Sequence, residues 1–157
     1  MFMMIGKNMR TIETGVVSRD DSVYECFPYL ALCQDGSLVC VYRECMGHGP
    51  SPFSKLSVRR STDQGLTWSA KQVLFECLIT PELSPLERET HDFAAVAEYD
   101  RMHARLGKEA FIGYLNCPGL LCLDDGSLLL ISDLYQHGWQ LLAWRSTDCG
   151  ISWQGPD

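Results

Sequence analysis

Arg43, Glu44 and His48 lie close together in the sequence, with His48 inside a stretch rich in Gly and Pro (Gly47, Gly49, Pro50, Pro52). A guanidinium offers a planar fork that matches a carboxylate with two parallel donors. An imidazole exchanges protons near neutral pH, and a neighbouring carboxylate can take part in the same acid/base work. Arg43 is therefore a candidate for binding a carboxylate or hydroxyl-rich ligand, with His48 and Glu44 as catalytic candidates. The plainer alternative is a surface ion pair between Arg43 and Glu44, which would contribute little, and a His48 that merely belongs to its loop. Asp133, Tyr135 and His137 form a second group of binding candidates, and Asp92 beside His91 a third, although an Asp also caps helices. The eight cysteines (Cys26, Cys33, Cys40, Cys45, Cys77, Cys117, Cys122, Cys149) include no C-x-x-C pair, which disfavours a zinc ribbon or thioredoxin-type site. With no phosphate-binding Gly loop and no Ser-His-Asp arrangement, neither a metal nor a cofactor is expected.

The elements that would position these groups come in two copies. Residues 27–38 (FPYLALCQDGSL) recur as residues 117–128 (CPGLLCLDDGSL), 90 positions later. Residues 61–68 (STDQGLTW) recur as residues 146–153 (STDCGISW), 85 positions later. Such self-similarity signals a repeat architecture. Each Asp-Gly (Asp35-Gly36, Asp125-Gly126) sits between apolar runs and predicts a two-residue type I′ hairpin turn. That register pairs Leu32 with Val39, Leu30 with Val41, and Leu121 with Leu130. Strands apolar on both faces imply cover on both sides, and Cys33, Cys40 and Cys122 read as small hydrophobes within them. A third strand is expected over Lys55–Arg60 and again over Gln140–Arg145, and a fourth over Gln72–Phe75. The S-x-D-x-G-x-(T/S)-W segment reads as a clasp: Asp63 or Asp148 accepts backbone N–H groups of its own loop, Gly65 or Gly150 supplies a backbone state closed to other residues, and Trp68 or Trp153 packs the turn. Ser61 and Ser146 open the two motifs, and Arg59, Arg60 and Arg145, just ahead of them, suit structural roles.

Two four-stranded antiparallel meanders in series suggest blades of a β-propeller. The organisation is a lead-in (1–23), a first blade (24–75), an insertion (76–110) with a short helix from Asp92 to Gly107, and a second blade (111–157) cut before its last strand. In a meander the Asp-Gly turns and the clasps share one face of the blade. The strand 2–3 loops, including residues 42–54 and 132–139, fall on the other.

The two clasps, each preceded by P-x-L-x-x-x-x-D-G-S-L, resemble the Asp-box (BNR) repeats of the sialidase superfamily. That resemblance implies an all-β, partial six-bladed β-propeller and an exo-α-sialidase-like glycoside hydrolase, incomplete within this chain. It also implies a glycan pocket on the face opposite the clasps, built from an arginine triad, an acid/base and a Tyr–Glu nucleophile pair. The family's first arginine falls at Cys26, and in the second unit at Asn116. Arg43-Glu44 with His48 is similar to a variant among sialidase-like proteins. A non-catalytic propeller that binds glycan or protein is the alternative.

The chain has 157 residues, 46% apolar and 21% charged, with 13 Gly and 7 Pro, which fits one globular unit rather than a disordered or collagen-like chain. A net charge of -7 argues against a broad nucleic-acid surface, and no apolar run reaches the roughly 18 residues of a membrane span. Expected partners are a glycan or small sugar and the remaining blades of a longer chain, with neither nucleic acid nor membrane. The start of the chain does not read as a secretory signal, and the cysteines suit a reduced, cytoplasmic setting.

Overall fold

The computed structural model describes residues 15–45, 47, 53–78, 114–115, 118–135 and 139–157. Among the described residues, eight strands form two antiparallel sheets: β1 (Tyr24–Leu32), β2 (Leu38–Cys45), β3 (Phe53–Ser61) and β4 (Gln72–Leu78) in the first; β5 (Tyr114–Leu115), β6 (Gly119–Cys122), β7 (Leu128–Tyr135) and β8 (Trp139–Ser146) in the second. The first sheet is a meander in chain order. In the second, β5 and β6 both pair with β7, so they act as one interrupted first strand. The first blade carries a matching irregularity: the β1–β2 register shifts between Cys26 and Tyr29, where Phe27 takes a φ of 53° just before Pro28.

The hairpins differ from the expected two-residue turns. Leu32 pairs with Leu38 and Ala31 with Val39, and in the second copy Leu121 pairs with Leu129. Only Gly36 and Gly126 take positive φ (83° each), and the Ser37 carbonyl accepts from Cys33 N at 2.8 Å. This is a type I turn followed by a left-handed glycine, the three-residue hairpin with a bulge. The Asp35 carboxylate decides it by accepting Ser37 N (2.9 Å), which keeps Asp35 itself out of the left-handed region.

The sheets pack face to face. Ala31, Val39, Val41, Leu56 and Val58 of the first meet Leu120, Leu128, Leu130, Leu134 and Trp144 of the second, with Phe75 edge-on to Trp144 at 6.0 Å. The outer faces are barer than two-sided apolar strands suggest: Leu30 and Leu32 are exposed on one sheet, Leu121 and Leu141 on the other. Residues 15–23 cover part of the first outer face, where Tyr42 Oη donates to Ser18 Oγ (3.1 Å). Of the three strand cysteines, Cys33 and Cys40 are buried but Cys122 is exposed, and Cys33 lies at the start of the turn.

Two further expectations change. Residues 132–135 are strand, paired with 139–142, so the β7–β8 loop is only 136–138. The second unit also begins a fourth strand: Gln154 and Arg145 exchange backbone hydrogen bonds at 2.8 Å, and Asp157 does the same with Ala143. The expected helix from Asp92 to Gly107 lies outside the described residues.

Candidate functional site

The two clasps are built alike. Ser61 Oγ donates to Asp63 Oδ1 (2.8 Å) and accepts Gly65 N (2.8 Å), while Thr67 N donates to Asp63 Oδ1 (2.9 Å). In the second clasp Ser146 Oγ reaches Asp148 Oδ1 (2.8 Å), Gly150 N reaches Ser146 Oγ (2.8 Å), and Ser152 N reaches Asp148 Oδ1 (2.9 Å). The hydroxyl and N–H of Thr67 hold Asp63 down to about 2, and those of Ser152 do the same for Asp148. Carboxylates so occupied and so acidic are poor proton donors at neutral pH. The indoles differ: Trp68 Nε1 donates to Gly65 O (3.2 Å), whereas Trp153 Nε1 is buried without a partner among the described residues.

Both clasps and both hairpin turns lie at one end of the sheets, where Arg60 ties the first hairpin to the second clasp. Its Nη2 donates to Asp35 Oδ2 (2.6 Å) in its own blade and its Nε to Cys149 O (2.9 Å) in the neighbouring clasp. An open cleft of about 490 Å³ runs between the clasps, lined in part by Arg60, Trp68, Gly150 and Ile151.

The opposite end carries Arg43 and Glu44 at the close of β2, where the chain leaves for the β2–β3 loop. Strand alternation sends them to opposite faces. Arg43 shares the inter-sheet face with Cys26, Cys45 and Ser54, and its Nε donates to Ser54 Oγ at 2.8 Å. Glu44 lies on the other face, where it accepts Lys71 Nζ (2.6 Å) and Ser57 Oγ (3.0 Å). Both are buried, so no surface ion pair joins them. The Glu44 carboxylate raises the Lys71 pKa. Beside Arg43, Cys26 Sγ and Cys45 Sγ approach to 3.8 Å, and the Cys26 thiol holds Cys45 down to about 7 against the effect of burial, with Arg43 helping.

Among the described candidates, Asp133 lies apart from Arg43. Asp133 pairs with Leu141 on the outer face of the second sheet, half-buried, while its neighbours Ser132 and Leu134 are buried. Tyr135 ends β7 opposite Trp139. His48, Asp92 and His137 lie outside the described residues. The sequence reading missed Lys71, Ser54 and Ser57 as partners. For the two serines the signal was available: with β2 and β3 set in register, Ser54 falls on the face of Arg43 and Ser57 on the face of Glu44.

No family model matches the chain, and no curated protein matches it in sequence. Solved structures do match in fold. A protein of unknown function from Dyadobacter fermentans has a TM-score of 0.59 at 22% identity, over 94% of this chain and 40% of its own. A Hadza microbial sialidase, Hz136, has a TM-score of 0.54 at 17% identity, over 85% of this chain and 25% of its own. A Penicillium chrysogenum alpha-L-arabinanase (TM-score 0.49, 13% identity, 82% of this chain and 31% of its own) overlaps too loosely to add weight. The chain thus spans between a quarter and two-fifths of the first two structures. At these identities the likeness fixes the fold: an all-β, partial β-propeller represented by two adjacent blades.

Proposed function

We propose that the chain forms part of a sialidase-like propeller that engages glycans at the end opposite its clasps. The observation that carries this reading is the division of labour between the two ends. At one, Asp63, Asp148 and Arg60 are committed to holding turns and joining blades. At the other, Arg43 and Glu44 are held at the mouth of the β2–β3 loop, to which His48 belongs. In this reading Arg43 orients a carboxylate or vicinal hydroxyls and His48 exchanges the proton, with further ligand contacts supplied by other blades. Glycoside cleavage would then need a paired acid and nucleophile across the scissile bond.

A second reading, binding without turnover, draws on two observations. Cys26 stands where the resembled family places an arginine, so one fixed positive charge is missing from the pocket. Glu44 is tied to Lys71 and Ser57 on the sheet face turned away from Arg43, so it supports the fold rather than the chemistry. The test pairs a panel of fluorogenic α-sialosides and other glycosides with a glycan array, using the wild type, Arg43→Ala and Arg43→Lys. Turnover lost in both variants favours hydrolysis with bidentate recognition. Array binding without turnover favours the second reading. Binding unchanged in Arg43→Ala removes Arg43 from the site.

A further inference from the structure

We propose that Cys33, Asp35 and Cys149 form a binding site for a thiophilic divalent cation, zinc foremost, that fastens the first blade's hairpin to the second blade's clasp. The Cys33 and Cys149 sulfurs and an Asp35 carboxylate oxygen lie within 4.8 Å of one another. Zinc bonds thiolate at about 2.3 Å and carboxylate at about 2.0–2.2 Å, which places tetrahedral ligand atoms roughly 3.5–3.8 Å apart. A small contraction of side chains therefore brings three protein ligands to bonding distance, with water as the fourth ligand. Soft sulfur ligands with one carboxylate select zinc over calcium or magnesium, which prefer all-oxygen shells.

The ligands are pre-positioned. Cys33 N donates to Ser37 O (2.8 Å) and Cys33 O accepts Gly36 N (3.0 Å), which fixes the turn. Asp35 Oδ1 accepts Ser37 N (2.9 Å) and Ser37 Oγ (2.5 Å) while Oδ2 accepts Arg60 Nη2 (2.6 Å), which leaves one lone pair of Oδ2 for a cation. The Cys149 carbonyl is gripped by Arg60 Nε at 2.9 Å. Partners that orient ligands in this way are a regular feature of metal sites. Charge balances too: two thiolates, one carboxylate and the Arg60 guanidinium leave the charge of one dication to be supplied.

The internal repeat is the control. Leu123 occupies the place of Cys33 in the second hairpin, and Gln64 the place of Cys149 in the first clasp. Gln64 and Cys149 share the same left-handed backbone, with φ of 62° and 56°. Neither position needs a thiol to fold, yet both thiols occur at the single interface where they meet. Sequence spacing hides the pair, because 116 positions separate Cys33 from Cys149.

The test is titration of the reduced 157-residue chain with cobalt(II), then displacement by zinc, in a non-chelating reductant. One cobalt per chain should bind with thiolate-to-metal charge-transfer bands and the visible absorption of a tetrahedral site. Cys149→Ser, half-buried and in a loop, should weaken binding by roughly 10- to 100-fold or more, and Asp35→Asn by a smaller factor. Zinc should raise the melting temperature of the wild type and not of Cys149→Ser. The Cys26→Ser/Cys45→Ser variant should bind cobalt as the wild type does. Absence of charge-transfer bands, bands that survive Cys149→Ser, or bands lost in Cys26→Ser/Cys45→Ser would overturn the proposal. So would a reduced chain that reoxidises to a Cys33–Cys149 disulfide and takes up no metal.

Discussion

The carboxylates of Asp63 and Asp148 work as anions, and their chemistry is spent on geometry. Each is held near 2, below its ordinary value of 3.8, by the hydroxyl and N–H of Thr67 or Ser152. A carboxylate with a depressed folded pKa stabilises the fold above its unfolded value and loses that contribution as pH falls through the folded one. Stability should therefore decline between about pH 4 and pH 2. Asp148→Asn should lower stability at neutral pH and flatten that decline, as read by denaturant titrations across this window. Gly150 makes a second prediction at this scale. Its φ is +83°, and an added Cβ would lie 2.7 Å from Val39 Cγ2, a short buried side chain with little room to yield. Gly150→Ala should destabilise by about 1–3 kcal/mol through backbone strain and overpacking, measurable by chemical denaturation.

At the scale of the elements, Arg60 and Arg145 occupy the same place in the two copies but do different work. Arg60 bridges its own hairpin and the next clasp. Among the described residues, Arg145 Nη2 binds within its own blade, to Asp125 Oδ2 (2.6 Å) and Ser127 Oγ (2.8 Å), and is half exposed. Arg60→Met should therefore cost about 1 kcal/mol or more and Arg145→Met less, a ranking that thermal melts of the two variants check. The elements also show what could be read from residues alone. Apolar runs flanking the paired Asp-Gly signals place most strands within a few residues of their observed bounds. The hairpin register slips by one because Asp35 bonds Ser37 N instead of entering the left-handed region, a choice made by one side-chain hydrogen bond. At the site, Arg43 and Glu44 stand out by type and adjacency. Their separation onto opposite faces follows from β2 running on to Cys45, and their burial from β2 being an interior strand, which no local pattern conveys. Lys71, 27 residues from Glu44, is found only through the fold.

For the whole molecule, two blades leave apolar surface on both flanks. Leu121 and Leu141, 55% and 63% exposed, lie on the outer face of the second sheet beside partly covered Leu129 and Ile131. Exposed sheet faces and edges promote association. Sedimentation of the chain should show concentration-dependent self-association, reduced by Leu121→Lys with Leu141→Glu. The proposed function assigns structure to one end of the blades and recognition to the other. Amide shifts in an NMR titration with a sialoside test that division most directly. The account predicts movement at residues 43–45 and 53–55, with the clasps at 61–68 and 146–153 unmoved. Shifts concentrated on the clasps, or none at the 43–45 end, would contradict it.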